Sequence, residues 1–292
     1  MIDSGVAVRG GVGTYLAVAR YSARRYAGYR AATAAGVFTN TVFGIIRAYV
    51  LLQVWHQRPG LGGYDTSGVV TFVFLGQGLI TSMALFGGGI DLPERIRSGA
   101  VAMDMARPVG FQTWWLADDA GRAAIQLLTR GLPPMLVAAL LFDLRLPTPA
   151  SPAAAAGTTA AGVWGAAAVW GLFAVSVVLG FLVSFGLRYL IALATFWLLD
   201  QRGLESAYTL FTVFFSGISM PLTIMPGVLR DLAEALPFAA MMQVPADVLL
   251  GNRTGASLVA AIAFQVGWAV VLLAAGRALT AHATRKLVVQ GG

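Results

Sequence analysis

Gly87-Gly88-Gly89-Ile90-Asp91-Leu92-Pro93-Glu94-Arg95-Ile96-Arg97-Ser98-Gly99 lies between two long apolar runs and is the most charged short segment in an otherwise oily chain. Three glycines release the preceding helix, because residues without a Cβ accept the backbone angles of a sharp turn. Asp91 is then expected to cap a new helix, with Pro93 in its first turn and Glu94 at its third position. That is the reciprocal capping arrangement with Asp in place of Ser or Thr. Gly99 stops the helix after about two turns. A second short piece, Ala100 to Ala106, ends at Arg107-Pro108. The segment reads either as a solvated loop or as a rigid docking knob that receives force from another protein.

The surrounding composition sets the solvent. Of 292 residues, 58% are hydrophobic and 11% charged, where a soluble domain carries about 25% charged residues. The mean hydropathy is +0.74, and the chain reads as an all-α polytopic membrane protein. With no cysteine, disulfides and thiolate metal sites are excluded. Among 20 basic residues the one lysine is Lys286, so no Gly-Lys-Ser/Thr triplet exists and the chain is not a P-loop ATPase. His56 and His282 are too far apart to suggest a metal centre. No nucleophile–base pair or metal constellation is visible at membrane depth, so neither a catalytic residue nor a metal ligand is assigned. No removable signal peptide is expected, the first span serving as its own signal.

Outward from the knob, six spans are expected. An Arg/Tyr-rich helix, Tyr15 to Arg30, is expected along the membrane surface, with Arg20 and Arg24 on one face. It follows a small, polar, loose start over 1–12. Span one runs Gly36 to Trp55 and span two Gly68 to Phe86. Span three, Leu116 to Phe142, is kinked or divided at Arg130-Gly131-Leu132-Pro133-Pro134. Leu146 to Gly162 reads as an external loop. Span four runs Val163 to Phe185, with a bend near Gly186-Leu187-Arg188 and a continuation to Leu199. Span five runs Leu204 to Ser219, and residues 220–256, broken by Pro221, Pro226, Pro237 and Pro245, suit short re-entrant or surface helices. Span six runs Leu258 to Leu279. The chain is one domain, 1–292, with an N-terminal tail and interfacial helix (1–35), a cytoplasmic segment (87–113) and the external broken region (220–256).

Even spans put both termini on one side. Thirteen basic residues (Arg9, Arg20, Arg24, Arg25, Arg30, Arg95, Arg97, Arg107, Arg122, Arg202, Arg277, Arg285 and Lys286) fall there, against Arg58, Arg145, Arg230 and Arg253 opposite. Positive charge is retained in the cytoplasm, so the termini and the knob are expected to face inward. Topology thus accounts for the net charge of +7, and nucleic acid is not a required partner. Arg47, Arg130 and Arg188 fall near or within spans, where a charge is costly unless it meets water, a partner or the interface. No Asp, Glu or His is expected at that depth, since Asp118, Asp119, Asp143 and Asp200 read as span ends. That disfavours a proton-coupled carrier. Asn40, Gln77 and Thr81 suit helix–helix hydrogen bonds.

The surface helix, the six spans, the inward helical loop after span two and the segment Ser216-Gly217-Ile218-Ser219-Met220-Pro221-Leu222-Thr223-Ile224-Met225-Pro226 together resemble the permease subunits of type-2 ABC exporters. Ile96-Arg97-Ser98-Gly99, Arg107-Pro108, Leu236-Pro237-Phe238 and Gln243-Val244-Pro245 are similar to the viologen-exporter and multidrug branch. The resemblance implies an exporter of hydrophobic or cationic drug-like compounds in a bacterial cytoplasmic membrane, both termini cytoplasmic. It implies two ATPase subunits, which bind ATP and Mg so that this chain holds no cofactor, and a second permease, identical or paralogous, all among membrane lipids. It assigns ATPase coupling to Asp91, Glu94, Arg95, Ile96, Arg97 and Ser98, flanked by Met103 and Asp104. Phe38, Asn40, Arg47, Phe74, Gln77, Phe211, Phe214 and Phe215 would line the pathway, and Ser216, Gly217, Pro221 and Pro226 the outer gate. The alternative is a channel or secondary transporter working without an ATPase.

Overall fold

The computed structural model describes residues 11–148, 163–198 and 200–290, and every regular element among them is helical. The start of the expected loose tail (1–10), most of the expected external loop (149–162) and Leu199 lie outside the described residues. In order, the helices are α1 (Val12–Ala27), α2 (Arg30–Gln57), α3 (Thr66–Ser82), α4 (Leu92–Arg97), α5 (Val101–Met105) and α6 (Phe111–Gln126). A π-helical turn, Leu127–Gly131, joins α6 to α7 (Leu132–Leu141). Then follow α8 (Val163–Ala194), α9 (Arg202–Phe215), α10 (Gly227–Ala235), α11 (Gln243–Leu249) and α12 (Gly255–Gln290).

Among the described residues, four stretches are long and apolar enough to cross a membrane: Arg30–Gln57, Phe111–Leu141, Gly165–Ala194 and Gly255–Ala283. The pair Gly227–Ala235 and Pro237–Leu249, bent by 67°, makes a fifth if it is one span. The expected second and fifth spans correspond to α3, with 17 residues, and α9, with 14. At about 1.5 Å per residue both are shorter than a hydrocarbon core of about 30 Å. Length and apolarity therefore give four to five candidate spans.

The core sits on α3. Its sequence is apolar on all faces, and a helix of that kind is enclosed by others. From Gly68 to Leu79 every residue is buried. Gly36, Asn40, Gly44 and Ala48, four apart on α2, form a buried stripe toward it. A Cβ on Gly44 would meet the Phe74 ring at 2.7 Å, and one on Gly131 would meet the Gly78 carbonyl at 2.6 Å. Small residues allow this backbone approach.

Of the kink or division expected in span three, the division does not occur: Phe111–Leu141 runs as one helical stretch, with a π-helical turn before the prolines. Pro133 and Pro134 offer no N–H, and the preceding turn widens so that Leu132 N–H reaches back to Leu127 O. The bend expected at Gly186 is absent, and α8 continues unbroken through it to Ala194. Gly186 instead serves packing, because a Cβ there would lie 2.7 Å from Leu272 Cβ on α12. Between α8 and α12, Gln265 donates to the carbonyls of Ser176 (3.0 Å) and Ala240 (2.8 Å) and accepts from Ser176 Oγ (2.9 Å). Away from water, such a side chain is tolerated when all its hydrogen-bonding groups find partners.

Candidate functional site

The knob begins where α3 ends. Gly87, Gly88 and Gly89 have φ of +83°, +79° and +85°, and Gly99 closes α4 at +74°. A side chain strains this left-handed backbone, so the turn has almost none of its own to satisfy its carbonyls. Other helices do so. Arg122 of α6 donates to Thr81 O (2.8 Å) and Ser82 O (3.2 Å). Ser184 of α8 donates to Met83 O, and Arg188 of α8 to Gly88 O at 3.1 Å. Tyr208 and Thr209 of α9 donate to Ala84 O (3.3 Å) and Phe86 O (3.2 Å). Side chains of three helices thus hold the end of α3 and the glycine turn that follows it.

Behind the turn lies a buried charge cluster. Asp119 accepts from Arg188 Nη2 and from Arg122 Nε, both at 2.6 Å. The three residues are 1%, 5% and 2% exposed, respectively. Two cations face one anion, and the surplus positive charge meets the C-terminal carbonyls of α3, the negative end of that helix. A Cβ on Gly89 would lie 2.8 Å from Arg122 Nε, so glycine is needed there for space as well as for backbone angle.

The knob itself is stitched together. Leu92 and Val101 are buried against Trp115, Phe185 and Tyr189, with Ile96 packed alongside. Arg95 holds Asp104 through two hydrogen bonds, one of them Nη2–Oδ1 at 2.7 Å, and those bonds raise the Arg95 pKa above its ordinary value. Arg107 adds a contact to Asp104 at 3.2 Å. Arg97 donates to Gln201 and lies 3.7 Å from Glu94. Glu94, Ser98 and Met103 project outward, whereas Asp104 is buried and acts within the knob.

The capping expected of Asp91 does not occur. Its backbone (φ −81°, ψ 6°) is not extended, its side chain makes no capping hydrogen bond, and Pro93 removes one of the donors it would serve. The carboxylate instead lies 3.5 Å from Arg25 of α1. Arg25 also donates to Asp118 at 3.3 Å. Burial works to lower the Arg25 pKa, but Asp118, with Tyr26 and Asp91, carries it above its ordinary value. α1 packs on α6 so closely that a Cβ on Gly121 would lie 2.0 Å from Ala19 O. Between α1 and the knob a groove of about 830 Å³ is lined by Tyr21, Arg25, Arg95, Arg107, Trp114 and Asp118, among others.

A second polar cluster surrounds the expected gate segment. Gly217 has φ +91°. Gln243 N–H donates to Ser216 O (3.0 Å), and Gln243 Oε1 accepts from Leu222 N–H (2.9 Å), so one residue closes both sides of the Ser216–Pro221 turn. Gln243 also donates to Tyr64 Oη (2.9 Å) and Asp247 Oδ1 (3.0 Å), while Tyr64 donates to Asp247 Oδ1 at 2.6 Å. Arg47 of α2 donates to the carbonyls of Ile218 and, at 2.7 Å, Ser219. Pro226 stands just before α10.

The expected pathway residues do not form one surface within this chain. Asn40, Phe74 and Gln77 are buried between α2 and α3, with Asn40 donating to Gln77 O at 3.2 Å. Phe38, Phe211 and Phe214 are exposed, and Phe215 packs near Leu222 and Ala233. The expectation that no acid lies deep is corrected. Among the described residues Asp119 and Asp247 are both buried in the helical body. Asp118 and Asp119 are adjacent in sequence, but successive residues point about 100° apart around a helix, and one goes to α1 while the other goes inside. Asp119 and Arg122 were read only as span-end and inward charges and Gln243 only as part of a motif, while Tyr64 and Asp247 were not singled out from sequence. The available signal was the surplus of arginines in apolar surroundings, each requiring an acceptor.

A search of curated proteins finds no match. The model of the ABC-2 family transporter proteins matches residues 38–291, from early in α2 through α12. Taken with the all-helical, multi-pass architecture, the match places this chain in the ABC-2 transporter family as a membrane permease subunit that is not itself catalytic.

Proposed function

We propose that this chain is the membrane-spanning half of an ATP-driven exporter, with hydrolysis carried out by a separate ATPase that binds the ATP and Mg. In this reading α2, α3, α6–α7, α8, α9 and α12 are six spans, both termini are cytoplasmic and α10–α11 re-enters from outside. The membrane is a bacterial cytoplasmic one. Two copies of the permease, or this chain and a paralogue, pair with two ATPase subunits. The supporting observation is the knob, a short charged surface that follows a turn held at the end of α3 by side chains of three helices.

A push on Glu94, Ser98 and Met103 would pass through Arg122 and Arg188 to α6 and α8, and through Tyr208 and Thr209 to α9. Helix α9, about 21 Å long, ends at the Ser216–Pro221 turn, so motion at the knob reaches the outer gate along a stiff rod. Alternating access follows if that motion closes the inner end while opening the outer one. Hydrophobic drug-like cargo fits the resemblance. The deep carboxylates do not favour a proton-coupled carrier, because Asp119 pairs with two arginines and Asp247 lies 3.3 Å from Arg253.

Purification in mild detergent tests the proposal. A stoichiometric P-loop ATPase should accompany the wild-type chain. It should be lost from the double variant Glu94→Lys, Arg97→Glu, which keeps the opposite-charge pair within α4 while reversing its polarity. Normal ATPase recovery and normal efflux in that variant would overturn the coupling assignment.

A further inference from the structure

Of the three arginines expected at membrane depth, Arg188 is paired with Asp119 and Arg47 donates to the freed carbonyls of Ile218 and Ser219. Arg130 differs. Its Nε is buried without an acceptor. Among the described residues the two carboxylates buried in the helical body already face other arginines, and no ion pair reaches Arg130. The guanidinium lies across Gly36 of α2, where a Cβ would sit 1.8 Å from Nη2 and 2.2 Å from Cζ. Any larger residue at position 36 displaces it, so glycine provides the cradle.

Two further features direct the group. Arg130 stands in the π-helical turn, and its side chain leans toward the start of its own helix. Gly36 is six residues into α2, about 9 Å along it from Arg30. In the proposed topology the cation therefore lies within the apolar layer, toward the end where the arginines of α1 and of the knob gather. An unpaired guanidinium at that depth is costly unless something anionic meets it. Its planar fork of donors matches the two oxygens of a phosphate or carboxylate.

We propose that Arg130 is an anion-binding residue that takes the phosphate or carboxylate head of a membrane-soluble amphiphile at the contact between α2 and the π-helical turn. The site rejects cationic amphiphiles, since Arg130 has no carboxylate beside it to attract one. If the occupant is cargo, the proposal rests on the exporter reading and replaces cationic with anionic compounds as the charged substrate class. Anion binding itself does not depend on that reading.

The test uses the full chain in maltoside micelles, without an ATPase. Thermal unfolding is followed while dodecyl phosphate, dodecylphosphocholine or dodecyltrimethylammonium is added. Wild type should respond in that order of preference, and Arg130→Gln should need about tenfold more dodecyl phosphate for the same shift. Arg130→Lys, which keeps the charge but not the fork, should fall between. Gly36→Ala, which moves the guanidinium without removing it, should also weaken the response, and this keeps the proposal testable if Arg130→Gln fails to fold. Equal responses of wild type and Arg130→Gln, or a preference for the ammonium compound, would overturn it. Competition by phosphatidylglycerol without ATP-dependent movement of dodecyl phosphate in vesicles would identify a bound lipid. ATP-dependent, Arg130-dependent movement would identify cargo. Both outcomes support the anion site, and a missing ATPase partner would leave the micelle result unchanged.

Discussion

Asp119 concentrates the energetics of the site at the scale of a single residue. A buried ion pair adds little net stability over an apolar packing of the same shape, but removing one partner strands the other. Asp119→Asn leaves two buried guanidinium groups without their anion and should destabilise the fold by about 3–5 kcal/mol, read as a fall in the midpoint of thermal unfolding in detergent. Asp118→Asn, at the largely buried neighbour that meets the more exposed Arg25, should cost less than Asp119→Asn, since Arg25 keeps Asp91 and contact with water. At the other cluster, burial and then Asp247 hold the Tyr64 phenol well above its usual value of 10.0. A group whose folded pKa is raised contributes stability that is present below its unfolded value and lost as pH rises through the folded one. Thermal stability should therefore decline above about pH 10, and Tyr64→Phe should flatten that decline. The sequence offered single members of each cluster, Arg188 in one and Gln243 in the other, but not their partners. Tyr64 and Asp247 are 183 positions apart, and no local pattern announces a contact across that separation.

Among the elements, the glycines decide more than the charges. Gly88 and Gly89 share the left-handed backbone, but a Cβ on Gly88 meets nothing within 4 Å while one on Gly89 meets Arg122. Gly88→Ala should cost about 1–2 kcal/mol of backbone strain, and Gly89→Ala should cost more and loosen the knob, read as faster hydrogen exchange across α4 and α5. On α6, Gly121→Ala drives a methyl group into the backbone of α1, which cannot yield as a side-chain end would. It should free α1 and speed tryptic cleavage at Arg24 and Arg25 relative to wild type. The irregularity before Pro133-Pro134 and the ends of α4 and α5 were legible because proline removes a donor and glycine permits a left-handed stop, although the helix widens at the prolines and does not divide. The unbroken α8 was not. A glycine that packs against a neighbouring helix and a glycine that bends its own look alike until the neighbour is known, and Leu272 lies 86 positions further along the chain.

For the whole molecule, composition and hydropathy identified an all-helical membrane protein, while the resemblance to ABC-2 permeases came from the order of its motifs and agrees with the family match over residues 38–291. Hydropathy gave six spans where length and apolarity support four to five. The difference lies in α3 and α9, whose short helices end in turns fixed by other parts of the chain. In the proposed mechanism the two ends are linked by α9, whose Tyr208 and Thr209 bond to the carbonyls just before the glycine turn and whose end runs into the turn that Gln243 closes. That path has a use if an ATPase grips the knob from the cytoplasm. The chain has no cysteine, so Glu94→Cys introduces a unique thiol on the outermost face of α4. The most direct measurement is cross-linking from that position in native membranes, with impermeant maleimide applied to intact cells as the control for sidedness. The thiol should cross-link to a P-loop ATPase and stay unlabelled from outside. Labelling from outside, or no ATPase adduct in membranes that still show efflux, would contradict the account.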